Sequence, residues 1–124
     1  MKPDVIAVID DHPSVLISVG RLLSSLDYAV ELYASAEEFL DNAVNTEAIC
    51  IIVDIELGES CGIELVQNLA SAGFTIPVIF VTANLDELVK TRAVEIGCVA
   101  FLSKPFSADD LIDALANLSP RSSS

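Results

Sequence analysis

The sequence predicts an α/β fold, a single doubly wound five-stranded parallel sheet in the order 2-1-3-4-5. Three observations carry that prediction. Five short apolar runs recur at residues 5–9, 29–32, 49–53, 78–81 and 100–102. The segments between them place apolar residues at three- and four-residue steps, the period of a helix with one buried face. Strictly alternating strands and helices need right-handed crossovers, which put helices on both faces of a parallel sheet.

Each element has its own signal. The first, third and fourth runs (VIAVI, ICIIV, VIFV) are nearly continuous stretches rich in β-branched residues, suited to strands covered on both sides. Pro13 fits a first helical position. It opens a helix whose apolar face is Val15, Leu16, Val19, Leu22, Leu23 and Leu26. After the second run, Ser35-Ala36-Glu37-Glu38 has the capping-box pattern of a hydroxyl three residues before a glutamate. Gly73 and Gly97 stand where the next two helices should stop. Ser107-Ala108-Asp109-Asp110 is an aspartate variant of the same box, ahead of a face made by Leu111, Ile112, Leu115 and Leu118. Residues 1–118 are therefore expected to form one domain, and 119–124 (SPRSSS) a polar tail or the start of a linker.

Composition narrows the function. The chain has 124 residues and is 52% hydrophobic, yet no apolar run is long enough to span a membrane. The opening MKPDV lacks the apolar core of a signal peptide, so a cytoplasmic protein is expected. Three cysteines, Cys50, Cys61 and Cys98, make no CxxC pair and read as small hydrophobes. Six basic residues against nineteen acidic ones, a net charge of -13, argue against direct nucleic-acid binding, which needs a Lys/Arg patch.

The charged residues at the strand ends are more telling. In open α/β sheets ligands bind beyond the carboxyl ends of the strands. There this sequence sets Asp10-Asp11, Asp54, Thr82 and Lys104. Two like charges about 4 Å apart repel by about 4 kcal/mol at an effective dielectric near 20, so the adjacent acids invite a cation. Three carboxylates make a hard-oxygen site suited to Mg²⁺. Lys104 and Thr82 supply an ammonium and a hydroxyl for an anion beside the metal, and together the groups suit an incoming phosphoryl group. Asp54, alone at the end of a central strand, is the best nucleophile of the three acids.

With these residues in place, the sequence resembles the response-regulator receiver domains of bacterial two-component signalling. The matching segments are VIDDHPSV, IIVDIELGESCGIEL, VIFVTAN and GCVAFLSKPF, and SAEEFL, GIELVQNL and FLSKPF resemble the FixJ-like subgroup. The resemblance implies a flavodoxin-like receiver fold. It implies Asp54 as phosphoacceptor from a sensor histidine kinase, with Mg²⁺ held by Asp10, Asp11, Asp54 and the backbone carbonyl of Glu56. Thr82 and Lys104 would bind the phosphoryl oxygens, Thr82 and Phe101 would form the switch, and Lys104–Pro105 would be a cis peptide. Such a chain phosphorylates and dephosphorylates itself and is otherwise no enzyme. Phosphorylation-induced homodimerisation is expected through the fourth helix, fifth strand and fifth helix, with Lys90 and Arg92 facing Asp109, Asp110 and Asp113 of a second copy.

Two features depart from the family pattern. Leu57-Gly58 stands where Met-Pro is common, and Glu56 and Glu59 add negative charge near the acceptor. Asn84, like Glu56, is implied to tune acyl-phosphate lifetime. His12 is expected to be carried away from the acids by the helix that follows. A rival reading, a haloacid-dehalogenase-type phosphatase with Asp10 as nucleophile, lacks the acid it needs two residues on, where His12 stands, and leaves Asp54 without a task.

Overall fold

The computed structural model describes residues 3–58, 60–83 and 86–118. In chain order the elements are β1 (Val5–Ile9), α1 (Pro13–Ser25), β2 (Ala29–Tyr33), α2 (Ala36–Asn42) and a 3₁₀ turn (Ala43–Asn45). There follow β3 (Ala48–Asp54), β4 (Glu56–Leu57), β5 (Ser60–Cys61), α3 (Gly62–Ser71), β6 (Val78–Thr82), α4 (Glu87–Ile96), β7 (Ala100–Ser103) and α5 (Ala108–Ala116). The main sheet runs β2-β1-β3-β6-β7 with every pair parallel. Setting aside the two-residue strands β4 and β5, this is the expected 2-1-3-4-5 order. That small antiparallel hairpin, pairing Glu56 with Cys61 and Leu57 with Ser60, was not anticipated. The expected tail, 119–124, lies outside the described residues.

Alternation along each strand divides the core into two layers. Ile6, Val8, Cys50, Ile52, Ile79 and Val81 face α1 and α5, where they pack with Leu16, Val19, Leu23, Leu111 and Leu115. Ala7, Ile9, Ile51, Val53 and Phe80 point the other way, against Phe39, Leu65, Val66, Leu69 and Ala93 of α2, α3 and α4. A fully buried Phe39, Leu23 or Leu111 contributes about 1.5–3 kcal/mol over its exposed state. This two-sided burial is why the strands read as continuous apolar runs, and it anchors the strands whose ends carry the charged residues.

The helix starts largely follow the sequence. Pro13 occupies the first turn of α1. At α5 both bonds of the capping box form: Asp110 N–H donates to Ser107 Oγ and Ser107 N–H to Asp110 Oδ2, each at 3.0 Å. At α2 Ser35 Oγ accepts from Glu38 N–H at 3.1 Å, but Glu38 Oε1 accepts from Ala34 N–H, one residue beyond the cap. The longer glutamate overreaches its cap residue, and the shorter aspartate closes the reciprocal box.

Candidate functional site

The sheet delivers five of the expected side chains to one end. Asp10 follows β1 directly, its N–H bonded to the Tyr33 carbonyl at the neighbouring strand end (3.1 Å). Asp54 is the last residue of β3, and both carboxylates are buried, with 3% of each residue exposed. Thr82 closes β6 and is fully buried, one residue past Val81, the partner of Asp54 in the sheet. Beyond β7, Lys104 N–H donates to the Thr82 carbonyl at 2.8 Å. That bond holds the Lys104 backbone at the end of the central strands, and Lys104–Pro105 is a cis peptide.

From there Lys104 Nζ bridges the two buried acids, 2.9 Å from Asp10 Oδ2 and 2.7 Å from Asp54 Oδ2. The other oxygen of Asp54 accepts from Glu56 N–H at 2.9 Å. Burial pushes the Asp54 carboxyl above its usual range, although Lys104 and the Glu56 N–H draw it partly back. Burial likewise pulls the Lys104 ammonium down, but its bonds to Asp54 and Asp10 outweigh that and hold it above the ordinary lysine value. Asp54 is thus more basic than an exposed aspartate, yet it is held beside a cation.

His12 does not leave the site. It caps α1 from outside the helix, in an extended conformation (φ -101°, ψ 109°). Its ring turns back so that Nδ1 lies 3.0 Å from Asp10 Oδ1 and 3.2 Å from Asp11 Oδ1. The expectation failed because His12 precedes a proline. A residue in that position avoids helical angles, so the ring does not follow the helix surface. That dipeptide is the signal from which the placement was readable.

Two glycines shape the loop after Asp54. Gly58 has φ 64° and sits against Asp11, where a Cβ would lie 3.3 Å from Oδ2. Proline, fixed near φ -65°, cannot adopt this angle, so the replacement of the common Met-Pro by Leu57-Gly58 corresponds to a different loop path. Gly62, at the start of α3, donates its N–H to the Ile55 carbonyl at 2.7 Å. A Cβ there would collide with the Asp54 carbonyl oxygen and come within 3.1 Å of the Asp54 carbonyl carbon and Ile55 Cα. The close approach of α3 to the end of β3 therefore requires glycine.

Phe101 pairs with Phe80 across β6 and β7 and is half-buried against the core layer that includes Ala93 of α4. Thr82, two residues after Phe80, points to that same face. Lys90, Arg92, Asp109, Asp110 and Asp113 are all exposed. Asn84 and Glu59 lie outside the described residues. Cys50 is buried and its thiol is pushed up to about 12 by burial, consistent with a structural role. Among the described residues, no helix is long and apolar enough to cross a membrane.

Comparison with known proteins points to one family. Residues 6–116 match the family model of the response regulator receiver domain. The chain is 36% identical over 108 residues to the transcriptional regulatory protein TdiR of Thauera aromatica, covering 87% of this chain and 48% of TdiR. It is 30% identical over 119 residues to the transcriptional regulatory protein FixJ of Rhizobium meliloti, covering 96% of this chain and 58% of FixJ. The crystal structure of a response regulator receiver protein from Burkholderia phymatum superposes with a TM-score of 0.80 at 38% identity, over 93% of this chain and 94% of that one. The chain spans about half the length of the curated relatives it matches. Nothing in these matches supports the phosphatase reading. With its sheet order, its strand-end acids and lysine, and this match over most of its length, the chain belongs to the response regulator receiver domain family of two-component signalling.

Proposed function

We infer that this receiver domain is switched by phosphorylation of Asp54, with a sensor histidine kinase as the phosphoryl donor. The observation that carries this reading is the bridge made by Lys104. A buried carboxylate at the end of the central strand has one oxygen held by a backbone N–H and the other at 2.7 Å from an ammonium. An Asp54 oxygen attacks phosphorus as the bond from phosphorus to the kinase imidazole breaks. The kinase nitrogen leaves with the electron pair, and the product is an acyl phosphate. Lys104, already beside the nucleophile, moves its charge onto the new phosphoryl oxygens, and the Thr82 hydroxyl is the second donor.

The residues fit a hard divalent cation. Ligand atoms of Asp10, Asp11, His12 and Asp54 lie within 4.8 Å of one another. Asp10, Asp11, Asp54 and the Glu56 backbone carbonyl would hold Mg²⁺. When bound, the ion supplies positive charge that offsets the clustered acids and the phosphoryl oxygens.

Phosphorylation draws Thr82 toward the new acceptor, and Phe101, on the same face of the sheet, fills the space that Thr82 vacates. The α4, β7 and α5 face then favours pairing of two copies, Lys90 and Arg92 of each meeting Asp109, Asp110 and Asp113 of the other. Leu88 and Val94 of α4, 75% and 61% exposed, supply apolar area there. Self-catalysed phosphotransfer and loss of the acyl phosphate are the chemistry of this chain, with output through that face and not through direct nucleic-acid contact. The test is intact mass after incubation with acetyl phosphate and Mg²⁺. One added phosphoryl group, lost in Asp54→Asn, is expected, and full labelling of that variant would sink the reading. Sedimentation with and without beryllofluoride tests the pairing, which a monomer in both states would refute.

A further inference from the structure

We propose that His12 is a nitrogen ligand of the cation site, and that it turns the preference of the site from Mg²⁺ toward borderline divalent ions such as Mn²⁺, Co²⁺ and Zn²⁺. The proposal rests on the reading of Asp10, Asp11 and Asp54 as cation-binding carboxylates. To these and the Glu56 carbonyl it adds a fifth ligand, of a different chemical kind.

The ring position is the ground for it. His12 Nδ1 lies 3.0 Å from Asp10 Oδ1, 3.2 Å from Asp11 Oδ1 and 4.0 Å from Asp54 Oδ2. The His12 side chain is 61% exposed, so water is open to it, yet this nitrogen is turned into the acids. The backbone fixes that direction. His12 N–H donates to Asp10 Oδ1 at 2.9 Å, and Pro13 confines the residue to extended angles. The imidazole is thus anchored at both its own amide and the following ring.

Ionised carboxylates only accept hydrogen bonds, so Nδ1 carries the proton when no cation is bound. Coordination uses the lone pair of that nitrogen. Nδ1 gives up its proton to solvent as the ion binds. Mg²⁺ prefers oxygen and retains its waters, gaining little from an imidazole, whereas Co²⁺ and Zn²⁺ bind imidazole well. Mn²⁺ lies between them, early in the affinity order of the divalent transition metals.

His12 is the single histidine of the chain, so the ring can be followed without assignment ambiguity. The full chain, labelled with ¹⁵N-histidine, is titrated with Zn²⁺ and separately with Mg²⁺, without any phosphoryl group. Zn²⁺ is expected to move the Nδ1 resonance far more than Mg²⁺ does. Calorimetry with each metal salt is then compared between the wild type and His12→Phe. Affinity for Co²⁺ and Zn²⁺ should fall by about tenfold or more and affinity for Mg²⁺ by less than about threefold, because only the borderline ions use the nitrogen. Ions that bind while Nδ1 stays unmoved, or an Nε2 shift in its place, would overturn the role of His12 and leave the carboxylate site standing. Equal losses for Mg²⁺ and Co²⁺ in His12→Phe would do the same. Absence of any cation binding to the wild type would overturn both readings. The wild-type resonance decides the case if His12→Phe does not fold.

Discussion

Replacing Lys104 by methionine keeps most of the buried stem and removes the ammonium from between two carboxylates. The Asp10 and Asp54 side chains are 4% and 2% exposed, and Nζ lies 2.9 Å and 2.7 Å from them. Breaking a buried pair by removing one partner costs about 3–5 kcal/mol, since the remaining charge is left uncompensated. The chain can limit that loss by protonating Asp54, whose carboxyl burial already pushes up. The native state of the variant then holds a proton that the unfolded chain releases, so stability is lost as pH rises through the folded value. The deficit relative to wild type should therefore be smaller at pH 5 than at pH 8. Urea unfolding in EDTA reads it directly. With a slope of about 1–3 kcal/mol per molar for a small domain, a loss of about 3 kcal/mol moves the midpoint by about 1–3 M. Saturating Mg²⁺ should narrow the gap by binding the native carboxylates. An unchanged midpoint at both pH values, or a larger deficit at pH 5, would refute the reasoning.

Four further outcomes follow from particular residues. Gly62→Ala should destabilise by about 1–3 kcal/mol, as overpacking does, and should slow labelling by acetyl phosphate, because its Cβ would strike the Asp54 backbone. Gly20→Ala is the control: its Cβ would meet only Leu32 at 3.5 Å, inside a helix, and a gain of about 0.5–1 kcal/mol is expected in thermal unfolding. In wild type without metal, the raised Asp54 pKa makes its contribution full below 3.8 and lost as pH climbs through the folded value. Asp54→Asn should therefore gain on wild type with rising pH, at no more than about 1.4 kcal/mol per pH unit, measured by denaturant titration. Ser107→Ala, which removes one half of the capping box at α5, should cost about 1 kcal/mol in the same assay.

The sheet and the site were legible for the same physical reason. Strands buried on both faces must be apolar throughout, so the charged residues that interrupt them at Asp10, Asp54 and Lys104 mark strand ends and, by topology, one crevice. The β4–β5 hairpin was not legible, because two residues per strand leave no period to detect. The direction of the His12 ring follows from one backbone conformation, set by the Pro13 that follows it, and not from the helical period of its neighbours. The capping boxes differed by one methylene: Glu38 bonds to Ala34 and Asp110 to Ser107. The path after Asp54 depends on a left-handed Gly58 and on the absence of a side chain at Gly62, and both answer to neighbours distant in sequence.

The central claim is that Asp54 carries the phosphoryl group. Borohydride reduces an acyl phosphate to the corresponding alcohol, so an aspartyl phosphate becomes homoserine at the labelled position. The chain is incubated with acetyl phosphate and Mg²⁺, reduced, digested and sequenced by mass spectrometry. Homoserine at position 54, dependent on Mg²⁺ and absent from the peptide that holds Asp10 and Asp11, is the predicted result. Homoserine at position 10 or 11, or an acid-labile label with position 54 unmodified, would contradict the account.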